Sequence, residues 1–568
     1  MEPDTFSAVT REEQLASMAS APVDILVIGG GIVGAAVARD AAMRGLRTAL
    51  VDKADFASGA SGHSTRFIQG GLELVELGDW HHVRQACRER RTLLRIAPHL
   101  VRRHGLLFPI HEGSRLSMSR LALTLGTYQL VGAFTGQTGA RFYTRRGVLR
   151  REPGIREAKL SGGAYYVEGI CDDARLTLAT VRSAHQHGAF VANYAEAIDV
   201  DRAGGSVRGA RVTDLVNGGT QFVQAGVIVL AAGAWSDALR ARNGEAPMLR
   251  LTKGVHIVVP KQRLGNDQSI SFLSPIDGRI VYVVSWDHLS YIGTTETEDV
   301  RSPEHSRATA DDVVYLLRSV NALFPSARLG PDDVISTWAG VRSLIRHPDV
   351  EHANDLPRRH RVSVGPNGLI AVAGGRLTTH RAMAHDVMEV VAEQLRERDG
   401  RRIPTRAPTA TEPLPGGEVR DLEVLISEWV REGFTRQTAE HLVYHYGTET
   451  PAVARLAQTE PALAKPVVEG HPTVRAQLVH ALRREMAVTL IDLLARRTHV
   501  FHEVVGHGVP EAPGLVDLAA NELGWDSNRK AAELAAYLQE IQGAMAFRDT
   551  QAQRREEANA QRLARLTS

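Results

Sequence analysis

Residues 23–52 read VDILVIGGGIVGAAVARDAAMRGLRTALVD, and this stretch decides the fold. The run from Val23 to Ile28 is short, aliphatic and rich in β-branched residues, which predicts a buried strand. Gly29 to Gly34 predict a tight turn, Ala35 to Arg44 a helix of small residues, and Leu46 to Val51 a second strand. The stretch is therefore predicted to be one βαβ unit with a right-handed crossover.

Gly29, Gly31 and Gly34 form a G-x-G-x-x-G pattern between the strand and the helix. In this pattern the first glycine allows the turn, the second lets the backbone approach a pyrophosphate, and the third lets the helix pack closely on the strand. The helix N-terminus adds N–H groups and about half a positive charge. Asp52, at the end of the next strand, is predicted to accept hydrogen bonds from ribose hydroxyls. The pattern predicts a dinucleotide site and does not by itself decide between NAD and FAD.

The composition excludes several classes of protein. The chain has 568 residues, of which 43% are hydrophobic and 23% charged, as in globular proteins of several domains. The net charge of +2 gives no reason to expect nucleic acid as a partner. Two cysteines, Cys87 and Cys171, exclude a disulfide scaffold. Because the sequence has neither an apolar signal segment nor a run of 18 apolar residues, we expect a cytoplasmic protein.

The chain divides by composition into five parts. Residues 1–22 are predicted to be a polar N-terminal leader, and residues 23–400 mix strand-like and helical segments, which predicts an α/β fold with two interwoven domains. Residues 401–418 are rich in Pro, Thr and Gly and predict a linker. Apolar residues at helical spacing then predict a C-terminal α-helical domain over residues 419–548, followed by a polar tail over residues 549–568.

Three further segments favour FAD over NAD. Residues 52–71 are a glycine- and serine-rich segment that resembles the one under the flavin in two-domain flavoproteins. Residues 226–236, GVIVLAAGAWS, resemble a late strand that ends near the dinucleotide. Residues 368–381, GLIAVAGGRLTTHR, resemble the turn whose backbone N–H groups face the flavin O2 edge. The sequence thus predicts a Rossmann-like FAD domain interwoven with a mixed-sheet substrate domain. The candidate cofactor-binding residues are Gly29, Gly31, Gly34, Asp52, Ser61, Ser64, Gly233, Gly374, Gly375, Leu377 and Thr378.

The chain resembles the FAD-dependent glycerol-3-phosphate dehydrogenase family over about residues 23–400 and into the helical domain. The stretches that carry the resemblance include IGGGIVGAAVARDAAMRGL, APHLVRRHGLLFPI, LTKGVHIVVP, YIGTTET, AGVRSL and GGRLTTHR, followed by RREMAVTLIDLLARRT and ELGWD. The resemblance implies that FAD oxidises the C2 hydroxyl of sn-glycerol 3-phosphate to dihydroxyacetone phosphate. It further implies hydride transfer from C2 to flavin N5, with the electrons passed to a quinone or, in an oxidase branch, to oxygen.

The resemblance also implies three catalytic residues. His256, in KGVHIVV, matches a family histidine near the pocket, and Arg342, in AGVRSL, matches a substrate-binding arginine. Arg376, in GGRLTT, stands where the family usually has lysine. Both arginines can donate hydrogen bonds to a phosphate or to a developing carbonyl, and an arginine does so in a bidentate manner that lysine cannot match.

The match breaks in QGGLELVE, residues 69–76, where the family reads HGGLRYLE. Gln69 replaces a histidine and cannot be the base, because an amide does not accept a proton. Glu73 replaces an arginine near the substrate, and Leu74 replaces a tyrosine. Two unit charges 4 Å apart interact by about 4 kcal/mol at an effective dielectric constant of 20, so an anion at Glu73 is expected to repel a phosphate.

Two more positions depart from the family, namely Ser343, which replaces a proline, and His380, which replaces a tyrosine in the predicted substrate pocket. The departures leave two activities open: glycerol 3-phosphate oxidation, with Arg376 as the compensating cation, or oxidation of a different polyol, polyol phosphate or amino-alcohol. The candidate bases are His256, His380 and His63. Two rival classes are an NAD-dependent dehydrogenase, which would be colourless, and a flavin-binding regulatory protein without a base.

The remaining motifs are weaker. His499, His502 and His507 form H-x-x-H-x-x-x-x-H, but no cysteine or acid cluster accompanies them, so no metal site is predicted. Basic clusters at residues 88–95, 101–105 and 356–361 are expected to be solvated faces. The resemblance leaves peripheral contact with anionic lipid open as a second role for basic surface helices, and a homodimer is left open too.

Overall fold

The structure, a computed structural model, describes residues 6–76, 78–132, 139–203, 206–298, 302–347, 349–350, 356 and 358–549. The strands in chain order are β1 (Val23–Ile28), β2 (Thr48–Val51), β3 (Phe67–Ile68), β4 (Val101–His111), β5 (Arg141–Thr144), β6 (Leu160–Cys171), β7 (Phe190–Ala192), β8 (Ala195–Ala203), β9 (Ser206–Asp214), β10 (Thr220–Leu230), β11 (Leu249–Pro260), β12 (Ser269–Leu273), β13 (Ile280–Trp286), β14 (Leu289–Gly293), β15 (Ser336–Ile345), β16 (His360–Val364) and β17 (Ile370–Gly374).

The helices up to the predicted linker are α1 (Arg11–Ser20), α2 (Ile32–Met43), α3 (Leu72–Glu76), α4 (Trp80–Ile96), α5 (Met118–Gly132), α6 (Arg145–Arg151), α7 (Asp173–Gln186), α8 (Ser236–Arg242), α9 (Lys261–Leu264), α10 (Ala310–Leu323) and α11 (His380–Asp399). Those after it are α12 (Leu422–Arg431), α13 (Arg436–Tyr446), α14 (Thr450–Thr459), α15 (Arg475–Arg484), α16 (Val500–Glu503), α17 (Ala512–Leu523) and α18 (Ser527–Met545), with a π-helical segment at Asp492–Arg497. Among the described helices, none is both long and apolar enough to cross a membrane.

The first sheet has the strand order β16-β17-β10-β1-β2-β7, and its strands from β17 to β7 run parallel. The predicted βαβ unit forms its centre. Helices α2, α7 and α11 cover one face through side chains such as Val37, Val181 and Val387. Because the strands are parallel, the turns after β1, β2, β10 and β17 all meet at one edge, which is where ligands bind in such sheets.

The second sheet has the strand order β15-β11-β14-β13-β12-β4-β6-β3 and is antiparallel apart from the pair β12–β4. Helix α10 covers one face, and α4 and α5 cover the other. The strands of this sheet come from two stretches of chain, one between β2 and β7 and the other between β10 and β16. The predicted class, an α/β fold with a Rossmann-like domain, an interwoven mixed-sheet domain and a C-terminal helical unit, is confirmed.

Residues 6–22, within the predicted polar N-terminal leader, pack against the first sheet. Leu15 and Met18 on one face of α1 are buried against the first sheet. Arg11 is buried too, because its guanidinium donates to the carbonyl of Asn193 at 2.7 Å and to Asp214 Oδ1 at 2.7 Å. Polar composition hides this packing, since the buried arginine is paired.

The predicted linker, residues 401–418, is held against the first domain. The side chain of Arg44 donates to the carbonyls of Pro404 and Thr405, and Arg39 donates to the carbonyls of Thr409 and Glu412. These bonds satisfy backbone carbonyl groups of residues 401–418, where proline and glycine disfavour an α-helix. The segment therefore fixes where the helical unit begins.

The helical unit, from α12 to α18, is joined to the rest of the molecule through buried ion pairs. Arg175 of α7 pairs with Glu485 at 2.7 Å, and Arg182 pairs with Glu449 at 2.6 Å. At the far end of the unit, the carbonyl of Ala544 accepts a hydrogen bond from Thr337 of β15. The unit therefore closes onto both sheets.

Candidate functional site

A cleft of about 1590 Å³ opens at the carboxyl edge of the first sheet and runs between the two sheets. Most of the candidate residues line it. Those on its wall are Gly29, Gly31, Asp52, Ser61, Ser64, Gln69, Gly233, His256, Arg342, Gly374, Gly375, Arg376, Leu377 and Thr378. Residues more than 300 positions apart are thus brought to one cleft.

The glycine turn after β1 leaves no room for side chains. Gly29 has φ of +112°, and a Cβ there would lie 2.6 Å from the carbonyl oxygen of Ala231. A Cβ at Gly34 would overlap the carbonyl oxygen of Gly29, so this glycine is needed for packing. The Oγ of Ser61 accepts a hydrogen bond from the N–H of Ile32 at 2.9 Å. The bond ties the serine segment to the N-terminus of α2, where a phosphate would be bound.

Asp52 is fixed by the backbone beside the turn. Its Oδ2 accepts from the N–H of Gly30 at 2.5 Å and its Oδ1 from the N–H of Ala54 at 2.9 Å. Burial raises the pKa of Asp52 to about 6. An ionised carboxylate has about four acceptor sites, so two bonds leave capacity for ribose hydroxyls.

The turn after β17 is built to let a flat group approach the backbone. Gly374 and Gly375 have φ of +75° and +77°, and a Cβ at Gly374 would overlap the carbonyl of Arg359. The Oγ1 of Thr378 accepts from the N–H of Gln69 at 3.0 Å, which joins this turn to the serine segment. The glycine turn after β1, at one end of the cleft, suits a phosphate group. The turn after β17, at the other end, exposes backbone without side chains to a flat ring. The residues present therefore fit FAD.

His256 lies on β11 at the boundary between the cleft and the second sheet. Its Nε2 lies 2.9 Å from Thr65 Oγ1, and its ring stacks on Trp338 with 5.1 Å between centroids. Burial, with Arg342 and Arg66 nearby, lowers the pKa of His256 to about 3, so the ring is neutral at pH 7. With this pKa the imidazole is a weak base, and it becomes an effective proton acceptor only where a nearby negative charge raises its pKa.

Arginines gather at the substrate end of the cleft around Glu296. Arg342 Nη1 and Arg358 Nη2 lie 3.8 Å and 3.5 Å from its carboxylate, and Arg279 Nη1 donates to its backbone carbonyl at 3.0 Å. Arg342 also donates through Nη2 to Thr294 Oγ1 at 3.1 Å, while its buried Nη1 has no hydrogen-bond partner among the residues that the structure describes. Burial lowers the pKa of Arg342 to about 10, which still leaves it charged. A buried N–H group without a hydrogen-bond partner is unfavourable, so a ligand that brings an acceptor to it would be stabilised.

The departing segment near residue 70 is only partly on the cleft wall. Gln69 lines the cleft and donates through Nε2 to the hydroxyl of Tyr282 at 3.0 Å. Leu74 also lines it, as a mostly buried apolar side chain. The side chain of Glu73 lies outside the described residues, so its predicted repulsion of a phosphate stays a prediction.

His380 is not where the pocket prediction put it. It begins α11 behind the turn, is buried, and its Nδ1 lies 2.7 Å from the carbonyl oxygen of Leu377, which makes Nδ1 the donor. It is not on the cleft wall. The helix geometry explains this, because the residue after the turn points back into the first domain. His63, the third candidate base, does line the cleft, with Nδ1 2.8 Å from the carbonyl of Gly59.

The helical unit contributes cleft residues that the sequence analysis missed. Arg496, Phe501 and His502 line the cleft, and so does Glu540 of α18. The ring of His502 packs edge-on against Trp338 at 5.4 Å. Of these four residues, only Arg496 lies in RREMAVTLIDLLARRT, residues 483–498, the stretch that resembles the family's C-terminal domain.

Asp172, His445 and His499 bring their ligand atoms within 4.8 Å of one another. Arg66 Nη2 can only donate, and it lies 3.4 Å from His499 Nδ1. The proton of His499 is therefore on Nε2, which donates to Asp172 Oδ2 at 2.6 Å. Through these contacts Asp172 and His499 form part of a hydrogen-bond network between the first domain and the helical unit.

The basic clusters contain both buried and exposed arginines. In residues 88–95, Arg90 is buried and ion-paired with Glu168. In residues 356–361, Arg358 lines the cleft and Arg359 pairs with Asp79 at 2.7 Å. The expectation of a solvated face is wrong for Arg90, whose partner Glu168 comes from a distant segment, whereas Arg358 and Arg359 are exposed as expected.

The chain matches known families over most of its length. Residues 24–389 match the family described as FAD dependent oxidoreductase, and residues 407–530 match the C-terminal domain of alpha-glycerophosphate oxidase. The chain is 30% identical to the aerobic glycerol-3-phosphate dehydrogenase of Bacillus subtilis (strain 168) over 537 residues, 92% of this chain and 96% of that one. It is 33% identical to glycerol-3-phosphate dehydrogenase 2 of Mycobacterium tuberculosis (strain H37Rv) over 527 residues, 91% of this chain and 88% of that one.

A solved structure agrees with these matches. The glycerol-3-phosphate dehydrogenase from Bacillus halodurans complexed with FAD superimposes with a TM-score of 0.80 at 30% identity, covering 95% of this chain and 98% of that one. The predicted cofactor, FAD, and the predicted class, an oxidoreductase, are confirmed. The chain therefore belongs to the FAD-dependent glycerol-3-phosphate dehydrogenase family.

Proposed function

We propose that this protein oxidises sn-glycerol 3-phosphate at the C2 hydroxyl to dihydroxyacetone phosphate. The observation that carries the proposal is the group of arginines at the substrate end of the cleft. Arg279, Arg342 and Arg358 surround Glu296, and Arg115 and Arg376 line the same cleft. A phosphate ester supplies the acceptor that the buried Nη1 of Arg342 lacks, because guanidinium groups bind phosphate oxygens through charge-assisted hydrogen bonds.

The hydroxyl proton is proposed to go to His256. Bound FAD supplies the hydride acceptor, at N5 of its ring. The imidazole of His256 is neutral, and a bound phosphate dianion would raise its pKa because a nearby negative charge favours the imidazolium. Gln69, held by Tyr282, would orient the substrate through its amide oxygen without accepting a proton.

The first experiment is anaerobic bleaching of the flavin absorbance by glycerol 3-phosphate. We expect rapid bleaching by this substrate and slow bleaching by glycerol, which lacks the phosphate. Bleaching by erythritol phosphate or an amino-alcohol alone would instead support the alternative, a family member with changed specificity. No bleaching by any of them would support a flavin-binding protein that has lost its base.

Arg342→Gln tests the phosphate contact. Removing one charged donor is expected to raise KM for glycerol 3-phosphate about tenfold or more, while the flavin stays bound. The matched control is Arg263→Gln, because Arg263 forms an exposed ion pair with Asp333 away from the cleft. An unchanged KM in Arg342→Gln would contradict the proposed phosphate site.

The alternative substrate is tested by restoring the family residues. Gln69→His combined with Glu73→Arg should raise kcat/KM for glycerol 3-phosphate if these two positions limit it. If kcat/KM does not increase, Gln69 and Glu73 do not set the specificity, and Arg376 is sufficient as the cation that binds the phosphate.

We propose a quinone as the electron acceptor and a cytoplasmic protein with peripheral membrane contact. Helix α5 supports the contact, since Leu123 and Leu130 are more than 70% exposed beside basic residues such as Arg120. Cosedimentation with vesicles of anionic phospholipid, compared with neutral vesicles, tests it. Comparing quinone reduction with hydrogen peroxide release distinguishes quinone from oxygen as the electron acceptor. Light scattering measures the molar mass in solution and so tests for a homodimer.

A further inference from the structure

The π-helical segment Asp492–Arg497 places two consecutive arginines on one carboxylate of the other unit. Arg496 Nε donates to Asp55 Oδ2 at 2.6 Å. Arg497 donates to the same carboxylate through Nη1 at 2.7 Å and Nη2 at 3.0 Å. π-helical turns occur frequently at functional sites. Asp55 follows Asp52 by three residues, so the segment is anchored beside the dinucleotide turn.

The two arginines differ in what else they face. Arg496 lines the cleft, together with Ser58, Ala60 and Ser61 of the serine segment. Arg497 is 1% exposed, is not on the cleft wall, and also donates to the carbonyl of Glu485. Arg496 therefore faces the cleft with its positive charge, whereas Arg497 has a structural role.

Asp492 holds Arg496 from the other side. It forms an ion pair with Arg496 through Oδ1, which also accepts from the hydroxyl of Tyr194 at 2.7 Å. Its Oδ2 accepts from the N–H groups of Val488 and Thr489 at 2.9 and 3.0 Å. The carboxylate is thus fixed by four partners. Arg496 pays little additional entropy to stay in place, because its guanidinium lies between two fixed carboxylates.

Arg496 keeps donors beyond its two ion pairs. A guanidinium has five N–H groups, and the bonds to Asp55 and Asp492 use Nε and Nη2. Nη1 takes part in neither bond. FAD carries a negatively charged diphosphate, and the N-terminus of α2 with the bond between Ile32 and Ser61 marks where phosphates bind in this fold. Arg496 reaches the same cleft from the helical unit.

We propose that the C-terminal helical unit is part of the FAD site, with Arg496 as a cationic ligand of the FAD diphosphate and with Asp55 and Asp492 as its positioning residues. The proposal concerns how tightly the cofactor is held. It is independent of which alcohol is oxidised, so it stands or falls separately from the proposed substrate.

Release of flavin from the purified holoenzyme tests this, followed by the rise in free-flavin fluorescence after dilution. Arg496→Gln is expected to raise the Kd for FAD about tenfold or more, which corresponds to about 1.4 kcal/mol, chiefly through faster release. Higher salt is expected to speed release from the wild-type protein more than from the variant, since salt screens a cation facing the open cleft.

Arg497→Gln is the matched control, because it removes the other cation from the same carboxylate away from the cleft. It is expected to lower the unfolding temperature but to change the FAD release rate less than threefold. Equal release rates for Arg496→Gln and wild type, or equal acceleration by both variants, would overturn the proposal. If Arg496→Gln does not fold, Arg496→Met replaces it, because methionine has a similar length and no charge: faster release than wild type supports the proposal, and an unchanged rate overturns it.

Discussion

Gly34 shows how a single residue sets the distance between a helix and a strand. A Cβ at this position would overlap the carbonyl oxygen of Gly29, which lies in the turn that approaches the cofactor. The clash is with backbone, so no side-chain rotation can relieve it. The requirement for glycine at Gly34 is therefore local, and the sequence pattern alone was enough to predict it.

Gly34→Ala is expected to yield protein with little or no bound flavin and reduced stability, because helix α2 must move away from β1. The ratio of flavin to protein absorbance and the unfolding temperature measure both effects. Gly514→Ala in α17 is the control, since a Cβ there meets nothing within 4 Å. The control should keep its flavin and be stabilised by about 0.5 to 1 kcal/mol, as alanine favours helix. A yellow, stable Gly34→Ala protein would contradict this explanation.

Arg376, His256 and His380 show how far motif position predicts a site at the residue scale. All three were assigned from short sequence stretches, and the first two line the cleft. His380 does not, since the direction of its side chain depends on the first turn of α11 and not on the motif. Motif position locates a backbone segment, whereas side-chain direction depends on the packing around it.

At the scale of elements, the turn at Gln69 and Gly70 is held by a buried network from three elements. Glu168 of β6 accepts from the N–H of Gly70 at 3.0 Å and from the hydroxyl of Tyr128 of α5 at 2.7 Å. Arg90 of α4 forms an ion pair with the same carboxylate. The network fixes the segment that carries Gln69 on the cleft wall.

Glu168→Gln is expected to destabilise the protein by about 3 to 5 kcal/mol, because Arg90 would keep a buried charge without its partner. Urea unfolding measures the loss. Since the turn at Gln69 also loses its anchor, the flavin spectrum should shift as well. Tyr128→Phe removes one neutral donor only and should cost about 1 kcal/mol. Equal stabilities for the two variants would show that the ion pair is not what holds the turn.

At the scale of the whole molecule, the helical unit and the two sheets share buried charges. Arg175 of α7 pairs with Glu485, and both side chains are almost fully buried. Glu485→Gln is expected to cost about 3 to 5 kcal/mol in unfolding free energy. Since the pair spans both units, calorimetry should show them unfolding in a single transition.

Glu522→Gln is the control for that measurement. Its partner Arg483 is about half exposed, and exposed pairs contribute under about 1 kcal/mol. If the wild-type protein unfolded in two transitions, and Glu485→Gln shifted only the transition of the helical unit, the two units would not form one cooperative body.

Acid sensitivity is also a property of the whole molecule. Burial lowers the pKa of His99 and His256 to about 3, and that of His104, His380 and His445 to about 4. In the unfolded chain each titrates near about 6.5, so between these values the unfolded state binds more protons. The contribution of these histidines to the free energy of unfolding is thus fully present above about pH 6.5. It is lost as the pH falls towards 4 and 3.

We therefore expect the urea midpoint to fall steeply between about pH 7 and about pH 5, before most carboxylates titrate. Burial raises the pKa of Asp52 to about 6 and that of Glu152 to about 7, and it also raises the pKa of Glu89, Glu168 and Glu533. These carboxyls work in the opposite direction, but the histidines with lowered pKa values outnumber them. A midpoint that stays constant or rises over this interval would show that these histidines are not buried in the neutral form.

The sequence by itself determined the dinucleotide turn, the fold class and the cofactor, because each depends on short stretches of neighbouring residues. Gly29 to Gly34 and Asp52 lie within one βαβ unit, and residues 52–71, 226–236 and 368–381 each favour FAD as a separate local pattern. Only the tertiary structure decided which arginines surround Glu296 and that Arg496 reaches the cleft from the helical unit. These groups come from segments up to hundreds of residues apart. Their meeting depends on how the two sheets and the helical unit pack, and no local pattern of hydrophobicity or spacing encodes that packing.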